Sequence, residues 1–178
     1  MIEEKERMPY VVDTNVIVIA NNKGSGSYAC AYACTQGLET VQTSGRLILD
    51  DAKRILDEYF SNSNPFIPFG VGNSFVKWVH DYQGWPCLVE KIAITPKETD
   101  QRDFEEFPDH PGLSKFDPSD RKFVAVANAH PAKPPIMEAL DSKWWGWKEA
   151  LKACGITVEF LCPDEIKKLY DGKFGVSS

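Results

Sequence analysis

Hydrophobic and polar residues alternate in blocks along this chain. Tyr10-Val11-Val12 is a short apolar run that stops at Asp13, and Val16 to Ala20 resumes it as the start of a helix. Asn21 to Ser27 is a loop by composition. Residues 28–43 read as a helix, and Leu47-Ile48-Leu49 as a buried strand. Asp50-Asp51 is expected to cap a helix over 52–61, with Ile55, Leu56, Tyr59 and Phe60 on one side. A second amphipathic helix is expected over about 74–83, with Gly84 just past its end.

From Gly84 to Lys115 the periodicity weakens. Lys91 to Thr95 fits a strand, and the rest is a Pro- and Asp-rich loop, long enough to carry function or mobility. Order returns where Asp117 suits an N-cap and Pro118 the first helical position of a helix through Phe123–Ala127. A strand over 135–140 ends at Asp141. A helix over 143–154 is stopped by Gly155, and a strand over 156–161 and a short helix over 163–170 follow. Strands alternating with helices predict a three-layer α/β/α fold around a central, mostly parallel twisted sheet. The expected organisation is a charged lead-in over 1–9, a single domain over 10–172 with its long loop at about 85–115, and a tail over 173–178.

Length and composition narrow the function. The 178 residues are 43% hydrophobic and 26% charged, which are globular proportions that exclude disorder and coiled coil. The net charge of -6 excludes a generally basic nucleic-acid-coating protein but suits one that gathers carboxylates around a cation. No run approaches the ~20 apolar residues of a membrane span, and the mixed-charge start is unlike a signal peptide. The five cysteines form no CxxC pair and stand at no zinc spacing to histidine. Reduced, buried thiols in a cytoplasmic protein are therefore expected. His80, His110 and His130 have no partner at motif spacing.

The acids carry the candidate chemistry. Asp13 and Asp141 each follow a strand, where either caps the next helix or faces a ligand at the carboxyl end of a parallel sheet. Asp120 lies in line with Phe123, Val124 and Ala127, heading the stripe that faces the core. A carboxylate there protonates, finds a partner or binds a metal. Asp57 and Glu58 flank the apolar face of their helix on opposite sides, and periodicity does not choose between them.

Four segments, in order, resemble a PIN-domain nuclease. They are Val11-Val12-Asp13-Thr14-Asn15, Ile55-Leu56-Asp57-Glu58-Tyr59, Phe116-Asp117-Pro118-Ser119-Asp120-Arg121-Lys122-Phe123, and Ala139-Leu140-Asp141-Ser142-Lys143-Trp144. The resemblance spans residues 10–163 and selects Glu58 over Asp57. It implies metal-dependent phosphodiester hydrolysis, usually of RNA, with Asp13, Asp120 and Asp141 on Mg²⁺ or Mn²⁺ and Glu58 binding it directly or through water. Asn15 would then orient the first acid or touch a phosphate. Lys143 stands where the family often has another acid, so it either weakens a second metal site or contacts a phosphate.

Arg121 and Lys122, beside Asp120, are candidate phosphate contacts. Trp144 and Trp147 are expected in the core, and Trp145 under a loop or partner or stacked on a base. The implied partners are RNA or single-stranded DNA, with an antitoxin-like protein and a second copy as further possibilities. A haloacid-dehalogenase phosphatase would need an acid where Asn15 stands. A catalytically weak PIN-like binding scaffold is the alternative reading.

Overall fold

The computed structural model describes residues 6–175. Its described elements are β1 (Met8–Val12), α1 (Thr14–Ala20), α2 (Tyr28–Thr43), β2 (Gly45–Asp50), α3 (Arg54–Ser61), α4 (Val71–Tyr82), β3 (Val89–Ile92), α5 (Arg121–Ala129), β4 (Ile136–Glu138), α6 (Ser142–Ala153), β5 (Val158–Phe160) and α7 (Pro163–Phe174). The five strands form one sheet in the order β3-β2-β1-β4-β5, and every pair is parallel. This is the expected three-layer α/β/α architecture. The residues before Glu6 and after Gly175, including most of the proposed lead-in and half of the proposed tail, lie outside the described part.

The strand order sets the layers. The chain steps outward from β1 to β2 to β3, then returns to the other side of β1 for β4 and β5. Helices α1, α2 and α4 pack on one another in the first half, while α5 and α6 belong to the second. The order therefore reverses between β1 and β4, and a ligand crevice opens at the strands' carboxyl ends at such a point. Beneath it Val11, Val12, Leu47, Ile48, Leu49, Ile136 and Met137 are buried, which explains why these strands read as unbroken apolar runs.

Several boundaries differ from the sequence expectation. Helix α3 starts at Arg54, because the buried Asp50 carboxylate reaches over the intervening turn to the Arg54 and Ile55 N–H groups, at 3.0 and 2.8 Å. Lys53 before it takes the left-handed conformation, φ 64°. Strand β3 lies at Val89–Ile92, in register with Leu47–Asp50 of β2. Helix α5 starts at Arg121, not at Pro118, because Asp117 closes a turn on the Ser119 N–H and hydroxyl instead.

The loop after β3 is anchored by its own side chains. Phe104, Phe107, Leu113 and Phe116 are buried, and Arg121 pairs with Asp103 at 2.8 Å. A cavity of about 550 Å³ lies between Asp103, His110 and Arg121. Trp144 is buried, Trp147 packs on Phe116, and Trp145 packs edge-on against Phe160.

The expectation of reduced thiols is corrected at one pair. Cys30 and Cys162 are 132 residues apart, yet the fold brings their Cα atoms to 5.4 Å, and they form a disulfide. Cys34 is buried and free, Cys154 half-buried and Cys87 exposed. No described helix is long and apolar enough to cross a membrane.

Candidate active site

Asp13 is the residue after β1, where the parallel ladder ends. Its backbone N–H still donates to Met137 O at 3.0 Å, while its carboxylate caps α1 by accepting from Asn15 N at 2.8 Å. The side chain is buried. The next position on β4 is Glu138, which is fully buried. Val12 pairs with Met137 in the ladder, so Asp13 and Glu138 follow in register. Their carboxyl groups meet, and a protonated Glu138 donates to Asp13.

Glu138 is the buried acid of the candidate site that sequence reasoning missed. Its Oε1 accepts from Ala139 N at 2.9 Å and Asp141 N at 3.0 Å, which shapes the turn into α6. Its Oε2 receives no N–H or O–H from any described residue. The signal was available: Glu138 is the one charged residue inside the apolar run from Pro135 to Leu140.

Glu58 on α3 reaches the same place from above. Thr14, the first residue of α1, donates its hydroxyl to Glu58 at 2.6 Å, and Lys122 Nζ pairs with it at 2.5 Å. Asp57 is exposed. Tyr59, next in the chain, is buried and donates its hydroxyl to Val12 O at 2.5 Å, which docks α3 on the end of β1.

Asp120 is half-buried at the start of α5, and its side chain makes no cap bond to that helix. Asp141 caps α6 by accepting from Lys143 N at 3.2 Å. Asn15 accepts from Leu140 N at 2.7 Å, tying the start of α1 to the turn that carries Asp141. The predicted acids 13, 58, 120 and 141 are thus brought together, with Glu138 beneath them.

The electrostatics record this crowding. Burial pushes Asp13 up to about 6, the Glu138 and Asn15 hydrogen bonds pull it back, and Glu58 and Asp141 repel it further. Glu138 is held well above the usual carboxyl range by burial and by Asp13. Asp120 is pushed up to about 8 by burial and by repulsion from Asp13, Asp141 and Asp117. Asp117 goes the other way, to about 2, because Lys143 and Ser119 hold its ionised form.

The basic residues are engaged. Lys143 Nζ is 2.8 Å from Asp117, and Lys122 is buried between Glu58 and the Ser119 carbonyl. Arg121 turns toward Asp103 and the Ser114 and Phe116 carbonyls, away from the acids' own partners.

The donor set is all oxygen and anionic, which is the chemistry of a hard dication such as Mg²⁺ or Mn²⁺. The acids stand wider than one ion's ligand shell: among the described residues, three cysteines bring one sulfur each within 4.8 Å of one another, and no three acidic residues do so with one oxygen each. Binding an ion would draw the acids inward. Comparison of the chain with protein-family models, curated proteins and solved structures finds no match.

Proposed function

We propose that this chain is a metal-dependent phosphodiesterase, a PIN-like endonuclease acting on single-stranded RNA. The observation that carries the reading is the convergence of Asp13, Glu58, Asp120, Asp141 and Glu138 at the point where the strand order reverses, with Asp13, Asp120 and Glu138 pushed toward protonation by burial and mutual repulsion. Two carboxylates ~4 Å apart repel by about 4 kcal/mol at an effective dielectric of ~20, and a dication reverses that sign.

Asp13, Asp120 and Asp141 would hold the ion, with Glu58 beside them. Glu138 positions Asp13 through their shared proton and Asp141 through its N–H. When bound, Mg²⁺ or Mn²⁺ would acidify a water and offset charge on the scissile phosphate. Lys143, now paired with Asp117, is the exposed cation at the rim that a phosphate backbone would draw on, while Lys122 lies buried against Glu58.

The test is cleavage of end-labelled single-stranded RNA, with single-stranded DNA in parallel. The expected result is cleavage that requires Mg²⁺ or Mn²⁺ and disappears in Asp13→Asn and Asp120→Asn. A second reading, a PIN-like binding scaffold with little turnover, draws on those same ion pairs, which already neutralise part of the acid cluster. Metal-dependent RNA binding without cleavage would favour it.

A further inference from the structure

A second ligand set lies away from the acids, and it is built of sulfur. Cys30, Cys34 and Cys162 are all buried, and their Sγ atoms lie within 4.8 Å of one another. Sulfurs sharing one ion at a metal–sulfur distance of about 2.3 Å stand roughly 4 Å apart, within that span. We propose that, with the Cys30–Cys162 disulfide reduced, these three cysteines bind one soft, thiophilic cation such as Cu⁺ or Zn²⁺.

The local fold favours sulfur anions at two of the three positions. Cys30 is the third residue of α2, whose N-cap Ser27 accepts from the Cys30 N–H at 3.1 Å. Cys162 is the N-cap position of α7, with Pro163 following. Two helix N-termini therefore converge on the cluster, and the positive end of a helix dipole stabilises a thiolate. Cys34 lies one turn beyond Cys30 on the same face of α2. Burial, with Glu138 and Glu165 nearby, pushes its thiol up to about 12, so its sulfur ionises only for a cation that takes it. Glu165 is fixed at this corner by the Ser27 N–H, at 3.2 Å, and hydroxyl. Its charge adds a negative potential that a cation relieves. Soft thiolate ligands select soft metals over Mg²⁺ or Mn²⁺, so the two sites sort different ions.

The steps balance. A dithiol reductant opens the Cys30–Cys162 bond and itself becomes a disulfide, giving Cys30 and Cys162 two electrons and two protons. Coordination of a dication by the three thiols then forms three metal–sulfur bonds and releases three protons to water. Reoxidation needs an electron acceptor such as a small-molecule disulfide, and it expels the cation by removing two of its ligands.

The experiment titrates the full chain, reduced with a phosphine under argon, with Cd²⁺ and reads the ultraviolet thiolate-to-cadmium charge-transfer band, which carboxylates do not give. One Cd²⁺ per chain is expected. Cys34→Ser and Cys34→Ala should each weaken binding at least about tenfold, Asp13→Asn should leave the band unchanged, and the oxidised chain should show none. No band in the reduced wild type would overturn the proposal. So would a band that survives both Cys34 substitutions but is lost in Cys87→Ser/Cys154→Ser.

Discussion

Asp13 at the end of β1 and Glu138 at the end of β4 stand side by side, one step past Val12 and Met137, the last paired residues of the two strands. Both are buried, and burial holds both toward protonation; Asp13 raises Glu138 further, whereas the Glu138 hydrogen bond pulls Asp13 back. Two such carboxyls titrate as a pair, losing their protons in two steps that belong to both groups.

Glu138 is tested by two substitutions, one that keeps its hydrogen bonds and one that removes them. Glu138→Gln keeps an oxygen for the Ala139 and Asp141 N–H groups and a donor for Asp13, so stability should change by less than about 1 kcal/mol. Glu138→Ala leaves those two buried donors unpaired and should cost about 3 kcal/mol. Urea denaturation midpoints measure both. Equal losses in the two variants would show that the hydrogen bonds are not what Glu138 contributes.

The acid cluster sets a pH dependence with a definite sign. Asp13, Asp120 and Glu138 all bind protons more tightly folded than unfolded. In the window from about 4, the ordinary carboxyl value, through about 6 for Asp13 and about 8 for Asp120, the folded chain holds more protons, so stability falls as pH rises. Asp117 acts oppositely, and its contribution is lost only as pH drops from 3.8 toward about 2. Thermal melts in chelator should show a melting temperature that declines between pH 5 and pH 8. A flat or rising profile would contradict the cluster.

Asp120 makes no cap bond to α5 and is repelled by Asp13 and Asp141. Asp120→Asn should therefore leave the chain in chelator as stable as the wild type, or more stable by about 1 kcal/mol, at pH 8. A loss larger than that would mean that the carboxylate supports the helix start after all.

Lys122 is buried and bridges Glu58 to the Ser119 carbonyl. Lys122→Met removes the charge partner of a half-buried carboxylate and should cost about 1–2 kcal/mol, less than a fully buried pair would. Lys143→Met breaks a more exposed pair with Asp117 and should cost under about 1 kcal/mol. Comparing the two denaturation midpoints checks the order.

The fold was largely legible because alternating apolar runs and helical stripes are local signals, and α2 appears over the predicted residues 28–43. Asp13 and Asp141 were legible because each interrupts the chain just after a strand. Glu138 was not, because within the run 135–140 it reads as an interior strand residue, and its contact with Asp13 exists only once β4 lies beside β1. The Cys30–Cys162 pair was hidden for the same reason, since nothing local links positions 132 residues apart. The start of α3 was misplaced because Asp50 caps it across a turn rather than from the adjoining position.

The most direct measurement is Mn²⁺ binding to the chelator-treated chain at about pH 7, read together with proton release into a weakly buffered solution. The account predicts that Mn²⁺ binds, raises the melting temperature and displaces protons held by Asp13, Glu138 and Asp120, and that Asp13→Asn and Asp120→Asn abolish both effects. A chain that takes up no Mn²⁺, or takes it up without releasing protons and equally well in both variants, would contradict it.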